Sequence, residues 1–382
     1  MEYVRLKDIG QIITGNTPPT SKPEYYGDYM PFIKATDIPI GVKCTLVTEQ
    51  SYSKLAAEKY KKSLVPKGST CVVTIGSIGK KMTYAHTDLF VNQAINAIVP
   101  KDSYDNEYIF YNVRCSVLPQ LKKLDSGTTS GRENISKTSF SSIRIPVIKD
   151  KNVQRRIGVI LSTYDSLIEN NTKRIRLLEK MAENLYKEWF VRFRFPGHEN
   201  VKMVNGLPNG WKKGALSDVC EFKRGKNITS SEMKDGTIPV ISAGITPSGF
   251  HSHANVYGIS VTMSSSGANA GYIAVHYSDI WAADCSYIEE ASTPCIYYVY
   301  ELLNNIRSII NNFQRGAAQP HVYPKDINRI KMIIPSEDIR KKANEKIGVI
   351  HRQIDNLQRQ NSLLARQRDL LLPRLMSGKL EV

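Results

Sequence analysis

Four short stretches of the chain have residues of the kind that does chemistry, and each lacks a part the chemistry needs. Asn16-Thr-Pro-Pro-Thr20 approximates the Asn/Asp-Pro-Pro-aromatic loop with which amino-methyltransferases hold an extruded base. Here a threonine intervenes, no aromatic follows, and no glycine-rich cofactor loop accompanies it. Thr74-Ile-Gly-Ser-Ile-Gly-Lys-Lys81 has the ingredients of a phosphate-cradling loop. That loop needs four residues between its first glycine and its Gly-Lys pair, but only Ser77 and Ile78 separate Gly76 from Gly79. A glycine turn with two lysines suits a nucleic-acid phosphate instead. His251 and His253 have no third ligand nearby, so a solvated turn is expected there and not a metal site. Glu232-Met-Lys234 is a fragment of nuclease sites without a second positioned acid. No catalytic residue, metal or cofactor follows from these stretches.

The composition points to what the chain meets. Lys plus Arg number 52 and Asp plus Glu 36, a formal charge of +16, which calls for a polyanionic partner: nucleic acid first, an anionic membrane surface second. No apolar run approaches the ~18–20 residues of a membrane span. The N-terminus Met-Glu-Tyr-Val-Arg lacks an apolar signal core, and the six cysteines form no CxxC pair. A soluble, cytoplasmic protein without a membrane partner is expected.

The elements that would position such loops come in two copies. Ile157-Gly-Val-Ile160 returns as Ile347-Gly-Val-Ile350, an offset of 190 that also lays Asp165 on Asp355 and Asn171 on Asn361. Ile145-Pro146 falls on Ile334-Pro335, and Gly127 on Gly316, at an offset of 189. Residues 6–16 read onto 216–226 at an offset of 210. Self-similarity on this scale decides the architecture before any local reading does.

Each copy has two textures. The front parts, about 1–145 and 210–334, alternate short Val/Ile/Thr/Tyr runs with Gly, Pro, Asn and Ser, which reads as strands and turns. Each front part also holds one helical pattern. Ile109, Val113, Val117 and Leu121 share a face in the first, and Ile296, Tyr300, Leu303 and Ile310 in the second, behind Pro294. The back parts keep apolar residues at heptad spacing: Ile157, Ile160, Tyr164, Leu167, Asn171, Leu178, Met181, Leu185, and Ile347, Ile350, Ile354, Leu357, Asn361, Leu364, Leu371, Leu375. The expectation is an α/β protein in pseudo-two-fold tandem, two α/β domains separated by two long antiparallel coiled-coil helices. Asn171 and Asn361 are expected to face each other as the register device of that coil. A helix of about 35 residues is roughly 50 Å long at 1.5 Å per residue, which would space two domains by somewhat more than one turn of duplex.

The candidate contact residues lie in loops that correspond between the halves. They are Lys34, Thr36, Ser77, Lys80, Lys81, Asn92, Gln93, Thr128, Thr129 and Arg132 in the first half. In the second they are Ser242, Ser265, Ser266, Asn269, Arg315, Gln319 and His321. Such side chains beside glycine turns supply donors and acceptors for phosphates and base edges. The aromatic surplus of Leu185–Phe193, with Tyr186, Trp189, Phe190 and Phe193, exceeds what one seam can bury. It marks a partner interface, with domain-junction packing as the alternative.

Two helix ends carry a resemblance. ENLYKEWFVRFRFPG (183–197) and LLPRLMSGKLEV (371–382) resemble the helix endings of type I restriction–modification specificity subunits, and IPVIKDKNVQRRIGVILSTYDSLIENN (145–171) resembles the start of that family's first long helix. The second copy, IIPSEDIRKKANEKI, departs from this pattern in keeping only Pro335. The resemblance covers the whole chain and implies target-recognition domains at 1–150 and 211–335, long helices at 151–195 and 336–382, and a connector at 196–210. It implies a non-catalytic subunit that reads a bipartite, asymmetric double-stranded DNA target, binds two modification (methyltransferase) subunits, and joins restriction (motor-nuclease) subunits through the complex. Tyr186, Trp189, Phe190, Phe193, Leu371 and Leu375 would then dock the modification subunits. A stand-alone two-domain repressor with a coiled-coil spacer is the competing reading.

Overall fold

The computed structural model describes residues 1–125, 133–316 and 320–382. The chain divides into two compact units, Met1–Asn171 with Gln360–Val382, and Thr172–Arg359. Each unit therefore combines one front part with a stretch of both long helices.

In the first unit the strands are β1 (Glu2–Arg5), β2 (Gly10–Thr14), β3 (Met30–Ile33), β4 (Gln50–Tyr52), β5 (Thr70–Val73), β6 (Met82–Tyr84), β7 (Phe90–Val91), β8 (Ile95–Pro100) and β9 (Arg144–Val147), with helix α1 (Asn106–Ser116) between β8 and β9. The order β2-β8-β5-β6 makes an antiparallel sheet. A second sheet has β3 between β4 and β7, with β3 and β7 parallel, and β1 pairs with β9. Alternation along the strands explains the layering. Ile12, Val72 and Ile98 pack toward Ile109 and Val113 of α1, while Ile13, Cys71, Val73 and Ala97 pack toward Ile33 and Val91 of the second sheet. The sheet is covered on both faces, and β5 (Thr-Cys-Val-Val) is accordingly buried throughout. Helix α1 starts where Asp105 accepts the amide of Tyr108. Ile109, Val113, Val117 and Leu121 are all buried as the spacing predicts, although the helix breaks before Pro119.

The second unit repeats this topology. Its strands are β10 (Lys212–Ala215), β11 (Lys223–Arg224), β12 (Ile238–Ile241), β13 (Gly249–His251), β14 (Ser260–Ser264), β15 (Ile273–His276), β16 (Trp281–Ala282), β17 (Cys285–Glu289) and β18 (Lys331–Ile334). The sheet order β11-β17-β14-β15, the trio β13-β12-β16 with β12 parallel to β16, and the pair β10–β18 match the first unit, whose second sheet has one further short strand, Tyr26–Gly27, beside β4. The helix Ile296–Asn305 stands where α1 stands in the first unit.

The long helices are α2 (Lys151–Tyr186) and, naming the intervening helix Ile296–Asn305 α3, α4 (Glu337–Met376). Within the first unit they run antiparallel: Asn171 donates to Gln360 Oε1 at 3.4 Å, and Arg368 pairs with Asp165. The buried stripe of α2 differs from the heptad reading. Leu167 and Met181 are exposed, whereas Leu161, Asp165 and Ala182 are buried. The seam accepts a charge because Asp165 meets Arg368, so an apolar-only pattern is displaced by one position. Among the described residues no helix is long and apolar enough to cross a membrane.

The repeated Ile-Gly-Val-Ile sits at the same joint in each unit. Ile157 and Ile347 are buried, and Gly158 and Gly348 let the long helix approach the start of the shorter one. A Cβ on Gly158 would lie 2.7 Å from Asp105 Oδ1 and 3.1 Å from the Tyr108 amide, and one on Gly348 would lie 3.0 Å from the Tyr297 ring.

Candidate nucleic-acid interface

In the first unit the candidate loops leave strand ends that hydrogen bonds hold side by side. The Asn92 amide donates to the Ile33 carbonyl at 3.0 Å, and the Thr74 amide to Ala94 at 2.8 Å. Lys81 Nζ donates to the Ala35 carbonyl at 3.1 Å, and the Gly76 amide to Glu133 at 2.9 Å. Gly76 and Gly79 have φ of 86° and 70°, which only glycine adopts cheaply, so the Ser77–Lys80 turn depends on them. Thr36, Ser77, Lys80 and Gln93 are exposed on this cluster, while Lys34 is paired with Glu49.

The second unit gathers the corresponding loops. The Ala283 amide donates to Ile241 at 2.8 Å, Ser264 Oγ donates to the Ala243 carbonyl at 2.9 Å, and the Gly267 amide to Pro320 at 2.9 Å. Arg315 and His321 exchange backbone bonds of 2.9 and 2.8 Å. Arg315 is exposed and 3.0 Å from Asp326; Ser242 shares a hydrogen bond with Ser248, and Asn269 is half-buried.

Several sequence expectations need correction. Ser265 is fully buried against Ser286 and Ser266 is 6% exposed, donating to Asp284 Oδ2 at 2.6 Å, so both serve the frame and not a free surface. Tyr186, Trp189 and Phe190 are buried in the second unit's own core, Phe190 against Tyr298 and Trp211, and Phe193 meets Trp211 edge-on. Leu375 is buried and Leu371 partly buried in the first unit's core. Tyr186, Trp189, Phe190 and Leu375 are thus covered within the units, while Phe193 and Leu371 remain partly exposed. Thr128, Thr129, Arg132 and Gln319 lie outside the described residues. Of the other tempting motifs, Glu232 lies in a turn, but His251 departs from the solvated turn expected of it: it ends β13 and is buried. His251 Nδ1 accepts the Lys234 amide at 2.9 Å. Glu232 accepts the Thr229 amide and hydroxyl, bonds that hold its carboxyl below the usual range.

The same geometry brings in residues the sequence reading missed. Gly15 and Gly225 both sit where a Cβ would strike a carbonyl, that of Val91 in one unit and Ala283 in the other. Each delivers the next residue to the cluster: Asn16, whose amide donates to Val91, and Lys226, whose amide donates to Ala282. Thr17 then hydrogen-bonds Gln93, and Arg224 pairs with Asp284 at 2.7 Å. The repeat held the signal, because the offset of 210 lays Gly15-Asn16 on Gly225-Lys226.

Comparison with known proteins agrees with this duplicated arrangement. The family described as Type I restriction modification DNA specificity domain matches residues 1–180 and 208–365. The type I restriction enzyme MjaIX specificity subunit of Methanocaldococcus jannaschii is 26% identical over 410 residues, covering 99% of this chain and 93% of that protein. The type I restriction enzyme HindI specificity subunit of Haemophilus influenzae is 32% identical over 182 residues, covering 47% of this chain and 38% of that protein. The crystal structure of the type I restriction–modification system S subunit from M. genitalium has the same fold, with a TM-score of 0.62 at 18% identity over 98% of this chain and 95% of that one.

Proposed function

Because the chain belongs to the type I restriction–modification DNA specificity family, we propose that it reads a bipartite, asymmetric duplex target, one half-site per unit. It has no catalysis of its own and serves as the scaffold on which modification and restriction subunits act at that target. The observation that carries this reading is the pairing of one strand topology with two chemically different loop clusters. The first cluster carries Lys80, Ser77 and Gln93, and the second carries Asn269, Arg224 and Asp284. A common frame with different polar edges is what two unlike half-sites require.

Genome-wide mapping of methylated adenines in cells carrying the chain with a modification subunit tests this. The expected motif has two short specified blocks with an unspecified gap. Lys80→Ala should weaken or relax one block and Arg315→Ala the other, at about 1–3 kcal/mol for a base contact. A single continuous motif, or variants that each relax both blocks, would overturn the reading.

A further inference from the structure

The two units differ sharply in charge at one place in the shared topology. Between β4 and β5 the first unit has residues 53–69, whereas between β13 and β14 the second has only 252–259. The longer segment carries Lys54, Lys59, Lys61, Lys62 and Lys67 against a single acid, Glu58, and the shorter carries no Lys, Arg, Asp or Glu. All five lysines are exposed, and no ion pair among the described residues includes them. Basic residues near the second unit's cluster are neutralised by contrast: Lys223 by Glu289, Arg224 by Asp284 and Arg315 by Asp326.

The lysine segment is a built piece of the fold. Ser53 caps the short helix Lys54–Lys59 by accepting the Ala56 amide. Ala56 is buried with Tyr25, Phe32, Tyr52 and Phe90 on the outer face of the second sheet. Lys59 Nζ lies 4.6 Å from the centre of the Tyr25 ring and donates to its hydroxyl at 2.5 Å. The turn that follows is tied to the loop cluster. Asn16 Nδ2 donates to Ser63 Oγ at 2.5 Å, the Tyr52 hydroxyl donates to the Asn16 carbonyl at 2.8 Å, and Thr17 reaches Gln93. An open hollow lined by Asn16, Lys59, Lys61, Lys62 and Ser63 joins the two.

We propose that this lysine turn is a clamp on the DNA phosphate backbone beside the half-site read by the first unit, and that the second unit has no equivalent. This rests on the DNA-reading function proposed above. Cations without internal counter-charges keep their full attraction for phosphate, and each phosphate they neutralise releases condensed counterions. A rigid aromatic base limits the entropy lost when they bind. The clamp carries no sequence information: it holds register while the loops read.

The test titrates the purified full chain into a labelled duplex of arbitrary sequence over a series of salt concentrations. The parent should bind with log K falling linearly in log salt. K61Q/K62Q should bind more weakly with a slope shallower by about 1.8, at roughly 0.9 per lost phosphate contact. K61R/K62R should keep the parent slope, and K202Q/K346Q, exposed charges of the other unit, should change it little. Thermal unfolding of all variants should match the parent. An unchanged slope in K61Q/K62Q, or an equal loss in K202Q/K346Q, would overturn the clamp alone. A parent that shows no salt-dependent binding would sink the DNA reading and the clamp with it.

Discussion

His276 shows how one side chain couples the second unit to pH. It shares a hydrogen bond of 2.8 Å with the Thr262 hydroxyl, and burial pushes its imidazole down to about 4. An unfolded chain takes up that proton near pH 6.5. Its contribution to stability is therefore complete above about pH 6.5 and progressively lost as the pH falls toward 4. Thermal unfolding of the parent should show this acid limb, and His276→Gln should flatten it while changing little at pH 8. Superimposable limbs in the two proteins would remove His276 as the cause. Glycines act at the same scale by absence. Gly15 and Gly225 let a loop run against a neighbouring strand's carbonyls, which no other residue allows without displacing the backbone.

At the level of elements, the joint between α2 and α4 in the first unit is held by a buried ion pair. Asp165 is 5% exposed and Arg368 2%, and the Tyr111 hydroxyl of α1 donates to the same carboxylate. The attachment of the recognition domain and the pairing of the two helices thus share one charge. Burial and the adjacent Asp165 both push the Tyr111 phenol well above its ordinary range, so it stays a donor. Removing Arg368 leaves Asp165 an uncompensated buried charge, expected to cost about 3–5 kcal/mol, whereas removing Asp165 costs less because Arg368 keeps Asp369 at 3.0 Å. Arg368→Leu should destabilise strongly and Asp165→Leu less, and the double variant by less than their sum. Denaturant unfolding across the four proteins gives the coupling energy directly, and simple additivity would deny the pair its role. The heptad expectation missed this joint because it searched for apolar residues, and the two seam positions that matter most are charged.

On the scale of the whole molecule, α2 continues from Asn171 into Thr172 and α4 from Arg359 into Gln360, so both long helices belong in part to each unit. If the helices act as the ruler of a bipartite target, four residues inserted in both, after Thr172 and after Arg359, lengthen each by up to ~6 Å. The preferred gap between half-sites should then grow by roughly one or two base pairs with both half-sites unchanged. Methylation mapping in the inserted and parent proteins measures this, and an unchanged gap would exclude the helices as the ruler.

The duplication and the buried face of α1 were legible in the sequence, since period, offset and residue type are local properties that survive without coordinates. Buried Ile157 and Ile347, Ile109 and Val113 under the sheet, and exposed Ser77 and Lys80 all follow from them. Tertiary structure alone decided which polar residues are surface and which are frame. Ser265 and Lys80 look alike as loop residues beside glycine. Burial of one and exposure of the other depend on strands far away in the chain, Ser286 on β17 for the first. The same holds for Tyr186, Trp189 and Phe190, whose apolar area needs cover from any source and finds it in Tyr298 and Trp211. A sequence states that such area must be buried. Only the packed chain states against what.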